Sequence, residues 1–122
     1  DSDKLIAPER FGPSRLENAY PFGKMRDMGV LLALSTDSPV ESTSVIRNLN
    51  SADRYFSRRE SIEMYTSNGH LLANSCRGCS LEPGYPADLF VIDADLLKAN
   101  EDRLSDMTFV GGRLVFSLSE IG

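Results

Sequence analysis

The sequence predicts an α/β chain: a helical portion around one buried strand, followed by a β-rich C-terminal portion. Three observations carry this prediction. Val30-Leu31-Leu32-Ala33-Leu34 is an unbroken apolar run of strand length, opened by Gly29 and closed by Ser35-Thr36-Asp37-Ser38-Pro39. The residues on either side of that run repeat their apolar positions at helical spacing. Beyond residue 78 the chain turns to short Leu, Val, Phe and Ile runs, two of them separated by Gly111-Gly112. Tight hairpins need positive φ, which glycine adopts at no steric cost.

Taken in order, the first 15 residues hold Pro8 and Pro13 and little periodicity, and read as an arriving loop. A helix follows from Pro21, which suits a first turn. Phe22, Met25 and Met28 give it one apolar face, and Gly29 takes the left-handed stop. The run after Gly29 does not alternate, so it predicts a strand covered on both faces, as in a parallel α/β sheet. Helix, buried strand, then polar residues at the strand's C-terminal end is the order of an α/β barrel, whose active sites lie at that end.

The middle third predicts helices. Val45, Ile46 and Leu49 form one short apolar face. Ser57-Arg58-Arg59-Glu60 is a capping box, with Ile62 and Tyr65 marking the buried side of the helix it starts. Asn68-Gly69 predicts an interruption, after which Leu71-Leu72-Ala73 resumes an apolar stretch. Leu81-Glu82-Pro83-Gly84 reads as a short strand and turn, Leu89-Phe90-Val91-Ile92 as a strand, and Thr108–Val110 with Arg113–Phe116 as a hairpin.

Composition bounds the function. The chain has 122 residues, room for one domain with a modest core, and its 41% hydrophobic and 25% charged content is ordinary for a globular protein. No apolar run approaches the roughly 18 residues of a membrane span. A net charge of −5 argues against a nucleic-acid partner. Two cysteines and no leader-like start give no disulfide framework, and a cytoplasmic location is the expectation. The opening Asp1-Ser2-Asp3, with no initiator methionine, suggests a segment of something longer.

Among residues that carry chemistry, Asp37 is the most suggestive. A carboxylate just past a buried strand can ligate a metal or act as a general base, although aspartate before Pro39 is also an ordinary turn residue. Cys76-Arg77-Gly78-Cys79 is half of a four-ligand zinc site or a redox pair. With His70 as the sole histidine the chain still falls one ligand short, so coincidence or packing is the better reading. Arg58, Arg59 and Glu60 read as a solvated helix face. Asp93, Asp95, Glu101, Asp102 and Asp106 lack calcium-loop spacing and read as a solvated loop.

Together these segments resemble the C-terminal portion of a metal-dependent amidohydrolase of the amidohydrolase-3 (YtcJ-like) group, whose core is a TIM barrel. The resemblance runs from about Arg15 to Phe116. Arg15–Phe22 resembles the group's helix before its last barrel strand, and Leu32–Glu41 that strand with its Gly-Ser-Asp-x-Pro-Val element. Tyr65-Thr66-Ser67-Asn68 resembles a tyrosine-threonine-x-asparagine in a following helix. Ser80–Gly84, Ala87–Leu89, Val91–Asp93 and Val110–Val115 resemble the closing β-segment.

The resemblance implies a C-terminal barrel part over residues 1–78, with its last strand at about 30–36, and a β-sandwich segment over 79–122 with a hairpin at 108–116. By resemblance Asp37 faces the metal centre, as a ligand or as the partner that takes a proton from the metal-bound water. The family's usual Gly-Ser before that aspartate is Ser35-Thr36 here, and neither His70 nor the cysteines match a family ligand. The other ligands sit on earlier barrel strands that this sequence does not contain. The implied activity is therefore that of a longer parent: hydrolysis of a non-peptide C–N bond, amide or cyclic amide, with a divalent metal, zinc first, and a small-molecule substrate. The isolated chain is expected to be inactive and to hold no tight metal. Strand edges without neighbours predict marginal stability of the monomer, or self-association that covers those edges. Two other readings stand beside this one: a non-catalytic interaction or regulatory module derived from the same fold, and an unrelated small α+β domain.

Overall fold

The computed structural model describes residues 6–16, 18–74 and 79–120. The chain begins with two short helices, α1 (Ala7–Phe11) and α2 (Pro13–Leu16), where a loop was expected. The prolines explain the difference. Pro8 and Pro13 both sit in first turns, where a missing N–H costs no hydrogen bond, and Gly12 at φ 73° makes the break between them.

Helix α3 (Phe22–Asp27) forms where predicted. Its end is a Schellman motif: Gly29, at φ 76°, donates its N–H to Arg26 C=O at 2.8 Å, and Val30 donates to Met25 C=O at 3.0 Å. That early stop carries Met28 off the expected apolar face and leaves it 81% exposed. The Arg26 guanidinium donates through Nη1 to Tyr55 C=O at 2.8 Å, and Phe22 meets the Tyr55 ring edge-on at 5.5 Å. These contacts tie α3 to the connection between the next two helices.

The expected strand at 30–36 is extended but belongs to no sheet. Leu32 and Leu34 are half-buried, while Leu31 and Ala33 face outward, so one face is covered rather than two. Sheet formation needs a neighbouring strand along at least one edge. Among the described residues, the segment's backbone finds instead Met64 C=O for the Leu34 N–H and the Asn68 carboxamide for the Leu32 C=O.

Helix α4 (Val45–Ala52) is capped by Ser44, whose hydroxyl accepts from Arg47 N–H, and buries Ile46, Leu49 and Ala52. Helix α5 (Arg58–Tyr65) opens with the predicted capping box. Its buried side is Ser61 and Met64, one position earlier than Ile62 and Tyr65 suggested. Ser61 tolerates full burial because its hydroxyl donates to Ser57 C=O at 3.1 Å. Arg58 is also not the solvated residue expected. Its side chain is only 11% exposed, and Nη2 reaches Asp53 Oδ2 at 2.6 Å and Asn50 Oδ1 at 2.7 Å. The chain breaks at Thr66 rather than at Asn68-Gly69, and α6 (Ser67–Leu72) runs through both. Ala52, Phe56 and Met64 form the core cluster, with Leu32, Leu34 and Tyr55 packed against it.

The C-terminal third holds a three-stranded antiparallel sheet in the order β1 (Leu89–Val91), β2 (Met107–Val110), β3 (Arg113–Ser117). Leu89 pairs with Phe109 and Val110 with Arg113, with a bulge at Thr108/Phe109. Gly111 and Gly112 close the β2–β3 hairpin at φ 56° and 76°, the positive pair a two-residue turn requires. Asp88 Oδ1 accepts the Gly111 N–H at 2.6 Å. The region at 81–84 is bend and turn, without the short strand expected. Within the acidic loop Asp106 is not merely solvated: it accepts the Asp93 N–H at 2.6 Å and pairs with Arg103.

The capping box carries a pH prediction. The Ser57 hydroxyl first, and then the Ser57 N–H, hold the Glu60 carboxyl below its ordinary value. A depressed folded pKa stabilises above the unfolded value, about 4.3, and that stabilisation is lost as pH falls through the folded pKa. Unfolding midpoints followed downward from pH 6 should therefore fall more steeply for the native chain than for Glu60→Gln. Parallel curves for the two proteins would remove the box as a source of acid sensitivity.

Candidate functional site

Asp37 lies where the extended segment 30–36 turns back on itself. The turn is local and well tied. Val40 donates its N–H to Asp37 C=O at 2.9 Å, and Glu41 donates to Thr36 C=O at 3.2 Å. Ser35 Oγ accepts the Asp37 N–H and Thr36 Oγ1 accepts the Ser38 N–H, both at 3.2 Å. So the Ser35-Thr36 pair uses its hydroxyls to hold the loop. The peptide before Pro39 is cis.

Asp37 itself has φ 47°. Aspartate is one of the few side chains that visit this left-handed region readily. The region is shared with Tyr20, Asn74 and Cys79, so it alone marks no function. The distinguishing feature is the carboxylate. It is exposed, and no described residue bonds it. The loop thus uses the Ser35 and Thr36 hydroxyls on its own backbone, while the Asp37 carboxylate stays exposed.

Beside the loop is a cleft of about 400 Å³ with Tyr20, Phe22, Leu34, Ser35, Asn48 and Tyr55 among its walls. A larger hollow of about 920 Å³ lies away from Asp37, with His70, Cys79, Tyr85 and Leu89 among its walls. Size alone would favour the second. Among the described residues no three of its His, Cys, Asp or Glu side chains group to hold an ion, and the Cys79 thiol is poorly suited to chemistry. Cys79 is unpaired, and desolvation pushes its pKa up, away from the thiolate that attacks or ligates. Cys76 lies outside the described residues, so the spacing of the Cys-x-x-Cys pair is not on view. His70 is half-buried on α6. Burial also pushes the Tyr65 phenol up.

The fit to a metal is partial. Asp37 offers the hard oxygen donor that a divalent ion takes. Yet among the described residues no three His, Cys, Asp or Glu side chains come together to hold an ion.

Sequence reasoning assigned no role to two residues that organise this region, Arg26 and Asn68. Both act through backbone carbonyls far along the chain, a kind of partner that side-chain patterns do not reveal. The available signal for Asn68 was its place in Tyr65-Thr66-Ser67-Asn68, one of the stretches singled out in the sequence.

No helix among the described residues is long and apolar enough to cross a membrane. Neither a curated protein nor a solved structure matches the chain. The model of the amidohydrolase family does match, over residues 3–116, and it covers the segment at 30–36, the Asp37 loop, the helices and the sheet. The chain belongs to the amidohydrolase family.

Proposed function

We propose that this chain is the C-terminal part of a divalent-metal amidohydrolase that cleaves a non-peptide C–N bond, an amide or cyclic amide, and that Asp37 is its proton-handling carboxylate. In this reading the segment at 30–36 is the last strand of a TIM barrel and the three-stranded sheet belongs to an accompanying β-sandwich. The observation that carries the proposal is the exposed carboxylate, bonded by no described residue, at the C-terminal end of the apolar segment, the end at which barrel enzymes do their chemistry.

The family generally uses divalent metals, and such an ion supplies, when bound, a water acidic enough to attack at neutral pH. Asp37 would hold that water by an Oδ atom, accept its proton as the oxygen attacks the carbonyl carbon, and return the proton to the leaving nitrogen. Its other ligands would come from elsewhere in the protein. Zinc is the metal we favour.

The test is hydrolysis of p-nitroacetanilide and of a hydantoin by the intact protein, before and after a chelator. Activity should disappear with the chelator and return on adding zinc. Hydrolysis that survives exhaustive chelation contradicts the proposal.

A further inference from the structure

Asn68 lies on α6, outside the Asp37 loop. Its carboxamide nonetheless reaches a residue 36 positions earlier: Nδ2 donates to the Leu32 C=O at 2.8 Å. Two residues on, the Leu34 N–H donates to Met64 C=O at 3.0 Å. Backbone groups two residues apart in an extended chain point to the same edge. The two bonds therefore form a short ladder in which a helix end and a side chain replace a neighbouring strand. Met64 lies in the last turn of α5, where carbonyls lack helical partners, so that rung uses a group the helix leaves free. On the opposite edge, no described residue bonds the backbone of Leu31 or Ala33.

We infer that Asn68 is a positioning residue for Asp37. It fixes where the segment at 30–36 sits against α5 and α6, and thereby where the loop at its end presents the carboxylate. The link is mechanical. From Leu34 the chain passes directly into Ser35 and Thr36, whose hydroxyls and carbonyl hold the loop, so a shift of the segment shifts the loop. With Asn68 absent, Leu34 alone would anchor the segment on this edge, and rotation about one bond is far freer than about two. The inference rests on the catalytic reading of Asp37 given above.

The test uses Asn68→Leu, which keeps the bulk and removes the donor, in the intact protein. Amide hydrogen exchange should quicken about tenfold at Leu34 and its neighbours in 31–37, the order expected for losing one hydrogen bond, while α4 and the sheet stay unchanged. Turnover of the amide probe should fall about 10- to 100-fold in kcat with KM within about twofold, as misplacement of a reacting group does. In an Asp37→Asn background the same substitution should cost nothing further. Faster exchange spread evenly through every element would make Asn68 a general stability residue and overturn the inference. So would an undiminished cost in the Asp37→Asn background, or unchanged exchange at 31–37. Full turnover by Asp37→Asn alone would instead overturn the reading of Asp37, while the exchange result would still decide whether Asn68 holds the segment.

Discussion

Replacing Asp37 with asparagine in the intact protein should leave the fold in place and remove most of the hydrolytic activity. Asparagine keeps the shape of the side chain and tolerates the same left-handed backbone, so the turn at φ 47° has no reason to change. The bonds that hold the loop come from Ser35, Thr36 and main-chain groups, none of which the substitution touches. What disappears is a carboxylate that can take a proton. General-base assistance is worth about 10²- to 10⁴-fold. A kcat reduced by at least about 100-fold, with unchanged circular dichroism and melting, is the expected result. Retained turnover would remove Asp37 from the chemistry.

The second large effect is on stability. Phe56 is 6% exposed in the cluster with Ala52 and Met64, and Leu32 and Leu34 pack against that cluster. Phe56→Ala should cost about 3–5 kcal/mol, because the lost ring leaves a cavity that its neighbours fill only in part. Typical domains have about 5–15 kcal/mol in total. Among the described residues the fully buried apolar ones are few, Ile46 and Leu49 being the most enclosed, so the core they form has little reserve. A urea titration should show the midpoint collapse, and Phe56→Leu should recover much of it. A loss below about 1 kcal/mol would mean that the cluster does not hold the helices together. The same substitution should loosen the segment at 30–36, since two of the side chains that anchor it rest on Phe56 and its partners.

What could be read in advance was the structure specified by neighbouring residues. The capping box needs only Ser57 and Glu60, three apart, and it formed. The Gly111-Gly112 turn and the Gly29 stop need only glycines at positive φ, and they formed too. Asp37 could be located because an apolar run ending in polar residues marks a segment end whatever surrounds it. Features that depend on distant partners were not legible. The burial of Ser61 and Met64 in place of Ile62 and Tyr65 follows from where α5 meets α4 and Leu34. The side chain of Arg58 turned inward because Asp53 and Asn50 were within its reach. The segment at 30–36 has strand composition but no neighbouring strand, because pairing depends on a neighbour and not on the strand alone. Asn68 belongs to the same group: its partner is a carbonyl, and every residue has one.

The most direct test of the account is anomalous X-ray diffraction at the zinc edge from crystals of the intact protein. The account predicts an ion at the C-terminal end of the segment at 30–36. An Asp37 oxygen should lie about 2.0–2.2 Å away if it ligates, or about 4 Å away if one water intervenes. An ion placed elsewhere, with the Asp37 carboxylate still turned to solvent, would contradict it.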